Sequence, residues 1–217
     1  MVRAWDLPTR IFHWTFAALV VFSFTTGTVG NDWMDWHLRS GYAVLTLLSF
    51  RIVWGFMGSQ TARFARFLRG PRAMLGYARA TLRGEHSFVP GHNPLGGWMV
   101  VAMLAAVAVQ AATGLFADDE IATRGPLAER VSEALVSRMS SIHSTVQWVV
   151  AGLVALHVAA IATYRLAWKV RLASVMWHGR MQAPGIAPVE RSPWLAAIVL
   201  ALCAAAVYAL VVIYPAS

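Results

Sequence analysis

Five stretches of this chain, at about 11–30, 37–58, 95–116, 143–167 and 193–214, are apolar over most of their length and carry very little charge. Each is close to the roughly 20 residues that a helix needs to cross a hydrocarbon layer about 30 Å thick. In lipid every backbone N–H and C=O must be paired inside the spanning structure, which leaves helices and closed barrels. The runs are too long and too continuously apolar for barrel strands, so the expected fold class is all-α, an integral membrane helical bundle. Composition agrees: 13% of residues are charged, about half the share usual in a soluble domain. The first segment follows Arg3 and Arg10 and superficially resembles a cleaved leader. It has no small-x-small pattern after Gly30 and carries His13 and Trp14, so it is read as a retained helix.

Loop charge sets the expected orientation. The 59–92 connection holds Arg63, Arg66, Arg69, Arg72, Arg79 and Arg83 against Glu85, and the stretch after the fourth segment holds Lys169, Arg171, Arg180 and Arg191 against Glu190. Both should face the cytoplasm. The 31–36 loop has Asp32 and Asp35 with no base, and 117–142 has Asp118, Asp119, Glu120, Glu129 and Glu133 against Arg124, Arg130 and Arg138. Both should face outward, which puts the N-terminus inside and the C-terminus outside. This distribution also accounts for the net charge of +8 without nucleic acid, for which no aromatic-interleaved basic groove is present.

Two connections suggest surface helices. Pro71, followed by Leu75, Ala78 and Leu82 with Arg72, Arg79 and Arg83 between, reads as a short amphipathic helix in the headgroup region. Leu127, Val131, Leu135 and Met139 recur every four residues and suggest a second one over the outer mouth of the bundle. Either could be a lipid-facing brace or a docking surface.

The single cysteine, Cys203, allows no internal disulfide, no iron-sulfur cluster and no covalent haem attachment. It reads as a small apolar residue. Four of the seven histidines carry the functional signal, because they fall within or at the ends of the apolar segments, where polar side chains are costly. His143 and His157 are fourteen residues apart on one segment, hence within roughly 40° of one face and about 21 Å apart along the axis. With the orientation above, His13 at the inner start of the first helix matches the depth of His157. His37 at the outer start of the second matches His143.

Four histidines pairing by depth point to bis-histidine ligation of two noncovalent haems, one near each face. An iron with two imidazole ligands has no vacant position, which favours one-electron exchange over oxygen binding. Zinc would need further convergent ligands, which neither level supplies. Arg51, fourteen residues after His37, should face the same interior near the inner haem, where it pairs with a propionate or a quinone carbonyl or else snorkels to the interface. Arg39 is the analogous candidate for the outer haem. Arg10 and His92 lie at inner helix starts, where they anchor the interface or meet a quinone, and Asn93 is placed to cap the third helix. Trp14 and Trp148 pack on a porphyrin or serve as bundle core; Gly27, Gly41 and Gly114 admit a flat cofactor or close helix packing. Trp33, Trp36, Trp177 and Trp194 are expected at membrane interfaces, and His86 and His178 in solvated loops.

The run Trp5-Asp6-Leu7-Pro8-Thr9-Arg10 leading to His13-Trp14, the series His37, Gly41 and Arg51 running into Trp54-Gly55, the Ala62-Arg63-Phe64 and Gly70-Pro71 turns, the His92-Asn93-Pro94-Leu95-Gly96 start of the third helix, and the His143/His157 spacing together resemble the bacterial cytochrome b561 group. That group includes the membrane cytochrome b subunits of nickel-iron hydrogenases and, more distantly, of formate dehydrogenases. The resemblance covers about 3–180 and implies a four-helix core with two haems b, His13 with His157 toward the cytoplasm and His37 with His143 toward the periplasm. It implies electron transfer between a periplasmic partner, a c-type cytochrome or hydrogenase-like subunit, and the membrane quinone pool. A di-haem domain at 1–180 would then be followed by a linker and a fifth transmembrane helix within 181–217, which departs from the four-helix pattern. A self-contained superoxide:quinone oxidoreductase is the alternative within the wider group. The acidic outer loops weigh against it, since an anionic substrate needs a positive funnel. A haem-free transporter or assembly factor leaves the four depth-matched histidines unexplained.

Overall fold

A computed structural model describes residues 2–84, 91–121, 123–181 and 188–216; His86 lies outside them. The helices in chain order are α1 (Leu7–Val29), α2 (Met34–Met57), α3 (Phe64–Phe67), α4 (Pro71–Leu82), α5 (Pro94–Gly114), α6 (Glu133–Ala167), α7 (Leu172–His178), α8 (Pro193–Tyr208) and α9 (Tyr214–Ala216), with a π turn, Ala209–Ile213, joining the last two. Among the described residues the β structure is a two-residue antiparallel pair, β1 (Val2–Arg3) with β2 (Arg180–Met181), and an isolated antiparallel bridge between Asp118 and Arg124. Five helical stretches are long and apolar enough to cross a membrane, at the five segments expected.

The chain divides into two compact units, and each of the five long helices contributes to both. One unit comprises Met1–Ile11, Ile52–Met103 and Leu153–Ala197. Its polar knot is Asp6, which is 2% exposed. One carboxylate oxygen accepts the Thr9 amide at 2.9 Å, capping α1, and the other accepts Trp54 Nε1 at 3.2 Å. Trp54 is fully buried. Asn93 caps α5 as expected, its Oδ1 accepting the Gly96 amide at 2.7 Å. Its amide also donates to the Tyr164 hydroxyl, which lies 3.0 Å from that of Tyr77 on α4.

The other unit comprises Phe12–Arg51, Leu104–Gly152 and Ile198–Ser217. Val207 and Val211, from the fifth spanning segment, cluster with Leu115 and Leu127, and Tyr42 and Leu45 pack against them. Arg130 Nη2 holds that segment's end, donating to the Tyr214 and Pro215 carbonyls at 2.8 and 2.9 Å.

Two expectations need correction. The second surface helix does not form. Leu127 is buried before a single 3-10 turn, Ala128–Arg130, and α6 starts afresh at Glu133 with the Ser132 hydroxyl accepting the Leu135 amide at 3.4 Å. Nothing between Ser140 and His143 breaks the helix, so Leu135 and Met139 belong to α6, and His143 lies about 15 Å inside it rather than at its end. α4 forms with Pro71 in its first turn as expected; Tyr77 and Thr81 turn inward, while Leu75 and Leu82 stay exposed. Arg51 does not snorkel: it is 3% exposed.

Candidate functional site

His37, in the first turn of α2, and His143, within α6, bring their ring centres to 6.0 Å with planes 85° apart. The hydrogen bonds fix their tautomers, because a carbonyl oxygen can only accept. His37 Nδ1–H donates to the Ser23 carbonyl at 2.8 Å and His143 Nδ1–H to the Gln110 carbonyl at 2.9 Å. Each neutral ring therefore keeps its lone pair on Nε2, the arrangement that orients an imidazole as a metal ligand. The Gln110 side chain agrees, its amide Nε2 donating to His143 Nε2 at 3.2 Å.

One sequence device builds both contacts. Gly27 and Gly114 each stand one helical turn beyond the accepting carbonyl, at Ser23 and Gln110. A Cβ on Gly27 would come within 2.7 Å of the His37 ring, and one on Gly114 within 2.8 Å of the His143 ring. The missing methyl lets an imidazole from another helix reach a carbonyl already serving its own helix.

The two rings open onto a cleft enclosing about 770 Å³ of empty space, its mouth included, with an apolar lining that includes Val20, Leu45 and Val107. Gly41 lines it too, and a Cβ there would meet nothing within 4 Å. Tyr42 and Leu45 line the cleft and also pack against the cluster of Leu115, Leu127, Val207 and Val211, to which the fifth spanning segment contributes. Gln110 Oε1 is buried without a hydrogen-bond partner. The two facing imidazoles, the mostly apolar lining and the glycines fit a flat haem, which His37 and His143 would hold. Among the described residues no group of three metal-ligating side chains occurs.

The remaining expected residues distribute unevenly. His13 is half-buried on α1, with its ring edge-on to Trp14 at 4.9 Å, and His157 is half-buried on α6. Arg39 does not line the cleft; it is exposed and lays its guanidinium 5.5 Å over the Trp36 ring. Trp148 is also outside the cleft, exposed against Phe24. Sequence reasoning missed Ser23, Gln110 and Asp6. Gln110 had a signal, being the one amide in an otherwise apolar α5, four residues before a glycine. Asp6 had another, an acid three residues ahead of Thr9 just before an apolar run.

Membrane-length helices with two facing imidazoles beside an apolar cleft define a membrane protein with a candidate cofactor site. The family model for prokaryotic cytochrome b561 matches residues 4–179, and the chain belongs to that family. No curated protein and no solved structure matches it. It is accordingly a multi-pass protein of a bacterial membrane that binds haem b and carries electrons across the bilayer.

Proposed function

We propose that this cytochrome holds two haems b, one between His37 and His143 and one between His13 and His157, and passes electrons between a periplasmic redox protein and the quinone pool. The observation that carries the reading is the matched pair of Nδ1–H bonds to Ser23 and Gln110, which turns each Nε2 into the ring's acceptor atom; at His143 the iron would replace the Gln110 amide that now donates there. For the second pair the support is sequence placement alone: His13 in the first turns of its apolar segment and His157 fourteen residues after His143. Haem iron bound by two imidazoles supplies one-electron exchange. Ser23 and Gln110 orient the His37 and His143 rings toward the mostly apolar cleft that would receive the haem. The basic 59–84 and 169–191 stretches fit the cytoplasmic side, by the bias of positive loops. The acidic Asp118, Asp119 and Glu120 then fit docking of a basic or neutral partner, such as a c-type cytochrome or a hydrogenase-like subunit. Arg51, buried within its helix, is the candidate for a propionate or quinone oxygen on the inner side.

The test is paired substitution. His143→Ala and His37→Ala should each remove one haem, and His13→Ala and His157→Ala the other, read as two distinct reduced spectra and potentials. Equal loss of both haems from every variant, in protein that remains helical, would contradict the pairing.

A further inference from the structure

A second cavity lies within the unit that contains both chain segments 1–11 and 153–197. Arg3, Leu7, Arg10, Ser174, His178 and Arg180 line it, and it encloses about 1080 Å³ of empty space, its open side included. Backbone structure sets its charge in place. The β1–β2 register puts Arg3 directly opposite Arg180, a like-charge pairing that is unfavourable on its own. Arg10, in the first turns of α1, is tethered to the end of α7: its Nε donates to the Met176 carbonyl at 3.3 Å and its Nη2 to that of Trp177. Gly179 makes this approach possible, with φ of +77° and no Cβ to strike the Trp5 carbonyl at 2.8 Å or the Arg10 side chain at 3.0 Å.

Counter-charge is short among the described residues. Glu190 meets Arg3 at 2.7 Å, while Asp6 is buried and committed to Thr9 and Trp54. Three guanidiniums thus face one carboxylate, with the Ser174 hydroxyl and His178 imidazole beside them as further donors. A phosphate group fits this donor set, since guanidiniums bind it through charge-assisted, often bidentate bonds. Apolar surface adjoins the charge: Leu7 and Ile11 on α1 and Trp177 on α7 are all exposed. Basic pockets beside spanning helices with such a border suit anionic lipid headgroups.

We propose that this cavity binds the phosphate group of an anionic phospholipid, whose acyl chains lie along Leu7 and Ile11 and whose charge relieves the Arg3–Arg180 repulsion. Inorganic phosphate shares the headgroup chemistry but makes no use of the apolar border.

The experiment is native mass spectrometry of the haem-loaded protein in detergent, offered phosphatidylglycerol, phosphatidylcholine or inorganic phosphate. Phosphatidylglycerol should bind the wild type and lose about tenfold in affinity in the Arg3→Gln/Arg180→Gln double variant. Phosphatidylcholine should bind weakly and equally to both. Arg180→Lys should retain most of the binding, and Arg171→Gln, outside the cavity, all of it. An unaltered reduced haem spectrum reports an intact fold; if the double variant does not fold, Arg180→Gln alone carries the comparison. Undiminished phosphatidylglycerol binding in the variant, equal binding of phosphatidylcholine, or displacement of the lipid by millimolar inorganic phosphate each overturns the proposal.

Discussion

Gly114 stands so close to His143 that a methyl group on residue 114 would come within 2.8 Å of the imidazole. Gly114→Ala should therefore push His143 off the Gln110 carbonyl and lower occupancy of that haem severalfold, with helix content unchanged by circular dichroism. Gly41 provides the contrast, since its open surroundings accept a methyl group but not a large ring. Gly41→Ala should leave haem content near wild type, and Gly41→Phe should abolish this haem by filling the cleft. Normal haem binding in both Gly114→Ala and Gly41→Phe would count against the cleft as the site.

Asp6 ties the start of α1 to a tryptophan that is 0% exposed. Asp6→Ala removes a helix cap, about 1 kcal/mol, and leaves the Trp54 N–H buried without an acceptor, a further 1–3 kcal/mol or so. The apparent Tm in detergent should fall markedly, and less in Asp6→Asn, which keeps an acceptor. Equal Tm values for Asp6→Ala and wild type would show that the knot is dispensable.

The Arg124 guanidinium, 2.6 Å from Asp118, holds that carboxyl below its usual value of 3.8, with the Glu120 amide helping. A carboxyl depressed by folding stabilises the loop above its unfolded pKa, and the contribution is lost as pH falls through the lower folded value. The 118–133 connection should thus hold its structure at neutral and mildly acid pH and loosen only below about 3.8, as read by hydrogen exchange corrected for intrinsic rates. Asp118→Asn should show the loosening already at neutral pH. Loosening near pH 6 would point to another group.

Arg51 places a buried cation inside a membrane-length helix. If its charge faces one haem, Arg51→Gln should lower that haem's midpoint potential by on the order of tens of millivolts and leave the other unchanged, because a lost positive charge makes reduction harder. Potentiometric titration distinguishes this from a purely structural role, in which both haems would be lost together.

Which parts of this molecule the sequence reveals follows from how local each cause is. The five spans are legible because lipid forces helix on any apolar run of that length. His37 and His143 are legible because a polar ring in such a run needs a reason. The true start of α6 is not, since the four-residue spacing of Leu127, Val131, Leu135 and Met139 runs across the break at Ser132. Periodicity records which residues share a face, while a cap decides where a helix begins. Arg39 carries no sign of its direction, and Trp36, three residues earlier, draws its guanidinium outward. The Ser23/Gly27 and Gln110/Gly114 device is visible only once the imidazoles from other helices are in place.

The most direct test of the whole account is the haem content of the detergent-purified protein, by pyridine haemochrome assay against protein mass. The account predicts two noncovalent haems b per chain, and one after His143→Ala. Folded protein made with ample haem that carries none, or wild-type content unchanged by His143→Ala, would contradict it.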